Sequence, residues 1–333
     1  MTDHSQENSM SKKTVTVFGA TGTTGVACVN EFIRQGLVNI NVLARRSGQV
    51  ERSSSGISKS ETQKQLQYAE WARQGVTIKE VDVTIAEALV PALRGTDYLV
   101  SCVPLYATES QMPLIFAAKE AGVERFVPSE YGAIYEFEQF WQTDTTHRLM
   151  ARQKAFIRRM IELAGMDYTI IPAGAWIEYY MLEPVMVMGD PDAKLAWSTG
   201  ADVGRIIPHV LAHPASRNAI CPVATTAWCS WNELLAAREQ VVGRPIERNV
   251  LTPDQWRAAY AASSPGAIQT LLAIGVAMVD TPAGMSLFGN WNKTFLPEFK
   301  GTPLQELFVD TVEPFVEAMR AALIAAGELP ADA

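Results

Sequence analysis

The segment VTVFGATGTTG, residues Val15–Gly25, decides the fold of this 333-residue chain. Its apolar beginning predicts a β-strand, and Gly19, Gly22 and Gly25 come where that strand would turn into a helix. In a dinucleotide-binding turn, the first glycine permits the sharp bend, the second lets the backbone approach a pyrophosphate, and the third lets the helix pack on the strand. The segment therefore predicts a dinucleotide site, with a glycine-rich turn that binds no ligand as the alternative.

The helix that follows the turn indicates which groups would hold the phosphates. A helix N-terminus offers backbone N–H groups without intrahelical partners and a partial positive charge, and both favour an anion. The spacing here is G-x-x-G-x-x-G instead of G-x-G-x-x-G, so the prediction rests on the order of strand, turn, helix and second strand. The predicted cofactor contacts in the turn are Gly19, Thr21, Gly22, Thr23, Thr24 and Gly25.

The second predicted strand indicates which dinucleotide would bind. Its sequence, INVLARRS, ends in Arg45 and Arg46, and no acidic residue stands at its tip. An acidic residue there would bind the ribose hydroxyls of NAD, whereas a guanidinium group suits a 2′-phosphate through charge-assisted hydrogen bonds. The two arginines therefore predict NADPH/NADP+ as the cofactor, unless they only end a strand at the surface.

Apolar strands alternate with helical patterns through the first half of the chain. Short apolar strands separated by helices are typical of βαβ units, in which a parallel sheet carries helices on both faces. The fold class is therefore predicted to be α/β, a Rossmann-type doubly wound parallel sheet with a smaller C-terminal α+β substrate domain. The strands are predicted at Thr14–Phe18, Ile40–Ala44, Val76–Val81, Tyr98–Val103, Arg125–Pro128 and Tyr168–Ile171.

The pattern changes near Pro172, and this change gives the predicted domain boundaries. Residues 1–13 are polar and are predicted to be a disordered tail, and Ser47–Ser60 is predicted to be a mobile surface loop. Residues 14–172 would form the NADP(H)-binding Rossmann domain. Residues 173–333 would form mainly the substrate-binding domain, with some segments returning to the Rossmann sheet.

Charge and composition restrict the class of partner. With 28 basic and 36 acidic residues the net charge is −8, whereas nucleic-acid surfaces are strongly basic. No apolar stretch reaches the roughly 20 residues of a membrane span, and the polar N-terminus is unlike a secretory signal. The four cysteines form no C-x-x-C pair, which favours reduced thiols and no metal site. We therefore expect a cytoplasmic monomer or homodimer that binds a small-molecule substrate, with no nucleic acid and no membrane as partner.

A lysine stands at the border of the apolar face of the helix predicted over Asp144–Ala164. Lys154 comes four residues after Met150 and three before Ile157, and on a helix these positions are neighbours. Burial lowers the pKa of a lysine because the charged form loses its solvation, and the lysine then becomes a usable acid or base near neutral pH. The alternative is a lysine whose aliphatic chain only covers the edge of the core.

Several segments together resemble a known family. They are GATGTTG after the first strand, Arg45 at the end of the second, RFVPSEYGA at Arg125–Ala133, and the helix RQKAFIRRMIELAGMDYTIIPAG at Arg152–Gly174. They are similar to the isoflavone reductase-like, NmrA-like group of atypical short-chain dehydrogenases. The resemblance implies an NADPH-binding Rossmann domain, a substrate cleft between it and the smaller domain, and Lys154 as the catalytic acid/base beside the cofactor. The tyrosine of the usual Tyr-x-x-x-Lys pair is absent, because Met150 stands at its position.

The carboxyl ends of the strands, where ligands bind in open α/β sheets, supply the remaining predicted site residues. The end of the fourth strand would line the cofactor, and the end of the fifth would lie at the mouth of the site, with Ser129 interpreted as a turn residue. The aromatic residues of GAWIEYY are candidates for the substrate cleft or for core packing. The predicted residues are Cys102, Val103 and Pro104 for the cofactor, and Ser129, Glu130, Tyr131, Trp176, Tyr179 and Tyr180 for the substrate.

These observations favour an NADPH-dependent reductase of a small aromatic or polycyclic secondary metabolite, with hydride from NADPH and Lys154 as general acid/base. Two alternatives remain open. One is an NmrA-like regulatory protein that senses the cofactor without turnover, and the other is a non-redox cyclase or isomerase on the same fold. Lys154 favours an enzyme over a sensor, because a sensor has no need of a proton donor.

Overall fold

The computed structural model describes residues 12–46, 60–132, 146–264, 269, 272 and 289–330. Most of the predicted tail and of the predicted loop at Ser47–Ser60 lies outside these residues. The tail prediction is wrong at its last residue, because Lys13 belongs to the fold. Its Nζ lies 2.8 Å from Asp97 Oδ1 and 2.7 Å from Glu124 Oε1.

Twelve strands in the described ranges form one large sheet and two small ones. The large sheet has seven strands, all paired in parallel, in the order β10-β6-β5-β4-β1-β2-β3. The small sheets have the orders β11-β9-β7 and β12-β8. The strands are β1 Thr14–Phe18, β2 Asn39–Arg45, β3 Thr77–Val81, β4 Tyr98–Ser101, β5 Arg125–Val127, β6 Asp167–Ile170, β7 Ala175–Trp176, β8 Val185–Met188, β9 Leu195–Ser198, β10 Ala219–Ile220, β11 Ala227–Cys229 and β12 Arg248–Leu251.

Helices follow most strands of the first half, as the alternating pattern predicts. A short 3₁₀ segment at Leu105–Ser110 precedes the fourth helix, and another occupies Ile177–Tyr180. A π-helical turn at Phe308–Val312 joins the last two helices. The α-helices within the described ranges are α1 Thr23–Gln35, α2 Glu61–Arg73, α3 Ala86–Leu93, α4 Gln111–Ala121, α5 Thr146–Leu163, α6 Gly200–Ala212, α7 Trp231–Val242, α8 Pro253–Ala262, α9 Asn290–Phe295, α10 Leu304–Leu307 and α11 Glu313–Ala325.

Consecutive residues of the central strands enter two different cores, one on each face of the large sheet. Val100 of β4 packs with buried residues of α1 and α6, whereas its neighbour Leu99 packs with buried residues of α3, α4 and α5. The same alternation separates Val127 from Phe126 in β5. Side chains of a strand point alternately to opposite faces, so both faces of this sheet are covered by helices. The predicted doubly wound α/β fold is therefore confirmed.

The second half of the chain contributes to both the large sheet and a separate core. Helix α6 packs against α1 through Val203, Ile206 and Ile207, and β10 pairs with β6 at the edge of the sheet. The small sheets pack with α7, α8, α10 and α11 around a third core that includes Trp197 and Trp231. Helix α6 and strand β10 thus lie with the elements of the first half, although both come after Pro172. The predicted domain boundary at residue 172 stays a prediction.

One boundary in the second half differs from the sequence pattern. The apolar spacing predicts a helix over Trp228–Val242, but α7 begins at Trp231. Ser230 ends the preceding strand because it caps the helix: its Oγ accepts from Glu233 N at 3.1 Å, and the Glu233 carboxylate accepts from Ser230 N at 2.7 Å. Before the cap, β11 pairs antiparallel with β9.

Membrane-spanning helices and metal-ligand clusters are both absent from the described ranges of the fold. In the ranges that the structure describes, no helix is long and apolar enough to cross a membrane. Within those same ranges, His, Cys, Asp and Glu side chains form no group of three or more that could hold a metal ion.

Candidate active site

The glycine turn between β1 and α1 is shaped by two close backbone contacts. Gly19 has φ +74°, and a Cβ there would lie 2.6 Å from the carbonyl oxygen of Cys102. A Cβ at Gly25 would lie 2.3 Å from Gly19 O. The fold itself therefore requires glycine at both positions, because a side chain would collide with backbone that cannot move independently.

Gly22, the glycine between them, has no such requirement. It is exposed, its φ of −72° suits any residue, and the nearest atom to an added Cβ is Gly19 O at 3.7 Å. Gly22 is also the N-cap of α1, without a side-chain cap bond and without an acidic residue in the first turn. The space beside Gly22 is thus open to a group from outside the protein, next to a helix N-terminus that favours an anion. These residues fit a dinucleotide phosphate.

The threonines of the turn are unequally exposed. Thr23 is exposed, Thr21 is partly buried, and Thr24 is buried. Gly200, the first residue of α6, lies close to this turn, since a Cβ there would be 3.3 Å from Thr23 Cγ2 and 3.4 Å from Thr24 Oγ1. Of the predicted threonine contacts, Thr23 is the one best placed to meet a ligand from solvent.

Arg45 and Arg46 lie at the carboxyl edge of the sheet, where the glycine turn also lies. Phe18, the last residue of β1, pairs with Leu43 of β2, so Arg45 extends two residues beyond that pair. Arg45 is partly buried, whereas Arg46 is exposed and donates its backbone N–H to Val81 O at 3.1 Å. The structure thus places Arg45 and the glycine turn at the same edge of the sheet, and the contact of Arg45 with a ribose stays a prediction.

The end of β4 lies beside the glycine turn. Cys102 N donates to Phe18 O at 2.8 Å, which holds the end of β4 against the end of β1. Cys102 and Val103 are buried, and Pro104 is exposed. Pro104 is therefore the member of this predicted group that presents a side chain to solvent, while Cys102 contributes backbone next to Gly19.

Ser129 connects the ends of β4 and β5. Its Oγ donates to Val103 O at 2.7 Å, and its backbone N–H donates to Gln111 Oε1 at 2.8 Å. Both hydrogen-bonding groups are used to fix the turn, which supports the interpretation of Ser129 as a turn residue. The carbonyl oxygen of Ser129 accepts a hydrogen bond from Lys154 Nζ at 2.7 Å and so links this turn to the lysine.

Lys154 is more deeply buried than its place at the border of the helix predicts. Its side chain is 6% exposed, on the same side of α5 as the buried Ile157 and Ile161. Burial lowers the pKa of Lys154, and the nearby Glu130 carboxylate partly opposes this. The ammonium group is held at the carboxyl edge of β5 by the Ser129 carbonyl, so the lysine has both a fixed position and an altered acidity.

Glu130 and Tyr131 lie beneath the surface next to Lys154. Glu130 is 1% exposed, and its Oε2 accepts from Arg158 Nη2 at 2.7 Å. The Tyr131 hydroxyl donates to Ser101 O at 2.8 Å, and burial raises the pKa of this phenol well above its usual value. The side chains of Ser129, Glu130 and Tyr131 are all buried, and the prediction that these residues lie at the mouth of a cleft stays a prediction.

The three aromatic candidates after Pro172 separate into two groups. Trp176 is partly buried and donates its indole N–H to Tyr131 O at 2.8 Å, and the ring of Tyr179, 39% exposed, lies 6.0 Å from it. Tyr180 is 8% exposed and makes edge contacts with Trp197 and Trp231 in the third core. The packing of Tyr180 favours the core alternative for this residue, and Trp176 and Tyr179 stay candidates for the substrate cleft.

Glu178 is a residue of this region that the sequence prediction missed. It is buried, its Oε1 accepts from Gly200 N at 2.7 Å, and its Oε2 accepts no hydrogen bond from the described residues. Burial raises the pKa of Glu178 to about 7. The available signal was its place as a single acidic residue in the apolar run GAWIEYY, where a carboxylate needs a buried partner.

The family of the chain follows from comparison with known proteins. A model of the NmrA-like family matches residues 11–269. The chain belongs to the NmrA-like family. Among curated relatives, isoflavone reductase of Medicago sativa is 26% identical over 255 residues, 72% of this NmrA-like chain and 79% of that protein. Eugenol synthase 1 of Petunia hybrida is 28% identical over 284 residues, 79% and 85% of the two chains.

Solved structures agree with this NmrA-like fold. The binary complex of leucoanthocyanidin reductase and NADPH from Vitis vinifera has a TM-score of 0.72 and 22% identity, and the match covers 91% of this chain and 99% of that one. At this identity the likeness establishes the fold. The residues that the NmrA-like chain brings to the carboxyl edge of its sheet are the glycine turn, Arg45, the end of β4, and Lys154.

Proposed function

We propose that this NmrA-like protein is an NADPH-dependent oxidoreductase that reduces a small aromatic or polycyclic metabolite. Two kinds of observation support the proposal. The relatives named above include reductases of plant phenolic compounds, and one similar structure is a complex with NADPH. The site in this chain combines a phosphate-type glycine turn with a buried lysine at the adjoining strand end. We expect the enzyme to work in the cytoplasm as a monomer or homodimer.

The residues that would hold NADPH are those of the turn and of the second strand. The open space at Gly22 and the first turn of α1 suit the pyrophosphate, and Arg45, with Arg46 beside it, suits the 2′-phosphate. The backbone at Cys102 would lie beside the cofactor because it adjoins Gly19. When bound, the nicotinamide supplies a hydride to the substrate.

Lys154 carries the proposal. Reduction needs a proton as well as a hydride, and an ammonium group with a lowered pKa gives up a proton more readily near neutral pH. Lys154 Nζ is held by Ser129 O at 2.7 Å, which fixes the position of the ammonium group at the strand end, where a substrate oxygen or a bridging water would take its proton. The buried position also excludes bulk water from the proton transfer.

The substrate side of the proposal rests on Trp176 and Tyr179. Their ring centroids lie 6.0 Å apart, and Tyr179 is also in edge contact with Phe315 of α11. Partly exposed aromatic rings above a polar site suit a flat apolar ligand. We therefore assign them to the substrate cleft and expect an aromatic or polycyclic substrate.

A two-stage experiment tests the proposed function. The purified protein is first titrated with NADPH by fluorescence, and then assayed for loss of NADPH absorbance against a panel of isoflavonoid, lignan and quinone substrates. We expect saturable binding and substrate-dependent oxidation with at least one aromatic compound. Saturable binding without oxidation across the panel would contradict the reductase and favour a cofactor-sensing protein. Failure to bind NADPH would contradict both.

A further inference from the structure

A buried ion pair between Glu130 and Arg158 lies next to Lys154. Glu130 is the next residue after Ser129, whose carbonyl accepts from Lys154, and Arg158 lies one helical turn after Lys154 on α5. Glu130 Oε2 and Arg158 Nη2 are 2.7 Å apart, and both side chains are nearly buried. Two neighbouring groups of opposite charge are thus fixed beside the proposed proton donor.

We propose that Glu130 is a positioning residue that sets the protonation state of Lys154, and that Arg158 holds the Glu130 carboxylate and limits its effect. The inference rests on the proposed role of Lys154 as proton donor. Without a nearby negative charge, a lysine this deeply buried would lose its proton too easily to carry one into the reaction. With an unpaired carboxylate beside it, the lysine would hold the proton too tightly.

The other described groups near Lys154 are neutral or exposed, so the Glu130–Arg158 pair is the one that affects the protonation of Lys154. On the side of α4, Gln111 is neutral, and Glu109 in the preceding 3₁₀ segment bonds to Gln153 at an exposed position. Tyr131 stays protonated because burial raises the pKa of its phenol. Of the described charged groups, the Glu130 carboxylate is the one that opposes the effect of burial on the pKa of Lys154.

The carboxylate itself is only partly satisfied. Its Oε1 is buried and accepts no hydrogen bond from the residues that the structure describes. An incompletely bonded carboxylate in a low-dielectric site acts on neighbouring charges more strongly than one surrounded by donors. The Glu130 carboxylate is therefore placed to act on the charge of Lys154.

The test is a direct titration of Lys154 in the protein without substrate. Protein labelled with ¹³C-lysine is titrated by NMR, and the Lys154 signal is assigned by its loss in Lys154→Met. We expect the Lys154 midpoint to fall by about one pH unit in Glu130→Gln and to rise by a similar amount in Arg158→Gln, since an opposite charge nearby shifts a pKa by roughly one to three units. An unchanged midpoint in Glu130→Gln would overturn the proposal.

Two further variants separate charge from folding. Arg159→Gln changes the same charge on the same helix, but Arg159 is 65% exposed and pairs with Glu162 at 3.0 Å, so the Lys154 midpoint should stay within about 0.3 units. Arg158→Lys keeps the positive charge and controls for a loss of folding in Arg158→Gln, and it should leave the Lys154 midpoint near that of the wild type. A rise in Arg158→Lys as large as in Arg158→Gln would contradict the charge account.

The pH dependence of turnover separates this inference from the proposed function. A proton donor must be protonated, so the alkaline limb of the kcat profile should move to lower pH in Glu130→Gln and to higher pH in Arg158→Gln. If the NMR midpoints move but no substrate is reduced, the proposed function fails and the electrostatic inference stands. If turnover is found but neither the midpoints nor the limbs move, the inference fails and the function stands.

Discussion

Two buried polar clusters of this protein use their carboxylates differently. Asp202, on α6, is completely buried, and each of its oxygens accepts two hydrogen bonds, from Arg205 and Thr302 Oγ1 at one oxygen and from Thr226 and Thr302 N at the other. Glu130 is equally buried, but its Oε1 accepts none from the described chain. A saturated polar cluster stabilises a fold, whereas a buried carboxylate with an unpaired oxygen is costly to the fold.

The same contrast extends to the surroundings of the two carboxylates. The Asp202 cluster joins the first turn of α6 to residue 302, and so fixes two distant parts of the chain. The Glu130 cluster joins the end of β5 to α5 and surrounds Lys154. Variants at Lys154 should therefore change chemistry, and variants at Asp202 should change stability.

The largest expected effect is the loss of turnover in Lys154→Met. Methionine is similar in size and removes the buried amine, so kcat should fall by about 10² to 10⁴ while NADPH still binds. Thermal unfolding should occur at the same temperature or higher, because burial of an amine is unfavourable. The matched control is Lys194→Met, at an exposed lysine 3.9 Å from Glu233, which should keep wild-type kcat. Wild-type turnover in Lys154→Met would remove the distinction between the two clusters.

Asp202→Ala should destabilise the protein by roughly 3 kcal/mol, since it leaves several part-buried donors without their acceptor. Urea unfolding measures this loss, and kcat per folded molecule should stay near that of the wild type. A loss below about 1 kcal/mol, or a drop in kcat at full folding, would mean that Asp202 does not have the structural role assigned to it.

Most of the first-half fold could be predicted because its signals are local. The strand β1 is predicted with its observed bounds, and β2 and β3 differ by one residue at most at either end. The pattern could not show that α6 packs on α1 or that β10 joins β6, because those contacts connect residues far apart in the sequence. The family resemblance supplied the role of Lys154, for which periodicity alone gave a border position.

The candidate site was predicted less completely, for a physical reason. Tyr179 and Tyr180 are adjacent and chemically identical, and only the packing of the third core shows that Tyr180 is buried against Trp197. Glu130 was predicted at the site as a substrate contact and Glu178 was missed, and the sequence showed the burial of neither, because burial depends on elements that meet only in the fold. The spacing of apolar residues predicts which face of a single helix or strand is buried. The burial of these residues depends on contacts between several helices and strands, which the spacing does not show.

Arg45→Gln should reduce the preference for NADPH over NADH by about tenfold, because one charge-assisted contact to the 2′-phosphate is worth roughly 1.5 kcal/mol or more. Fluorescence titrations of both cofactors against both proteins measure the preference. Arg73→Gln, at an exposed arginine of α2 that pairs with Glu70, serves as the control and should behave as wild type. Equal affinities of the wild type for the two cofactors would contradict the assignment of Arg45.

The smallest expected effect concerns Glu31, another buried carboxylate, on α1. Burial alone would raise its pKa, but hydrogen bonds from Arg34, Gln35 and His209 outweigh this and hold the pKa at about 2. A lowered pKa stabilises the fold above the ordinary carboxylate pKa, and this contribution is lost as the pH falls toward 2. Glu31→Gln should thus cost about 1 kcal/mol at pH 7 and much less at pH 3, by urea unfolding at both values. A difference that is the same at both pH values would contradict this account.

The most direct test of the central claim follows a hydride label. NADPH that carries deuterium at both hydrogen positions of nicotinamide C4 is incubated with the protein and the substrate found in the absorbance screen, and the product is analysed by mass spectrometry. We predict one deuterium in each product molecule and one NADP+ formed with it, at a rate that falls by at least about 10² in Lys154→Met. Product without deuterium, or NADPH that stays reduced while product forms, would contradict a reductase and favour non-redox chemistry in the same cleft.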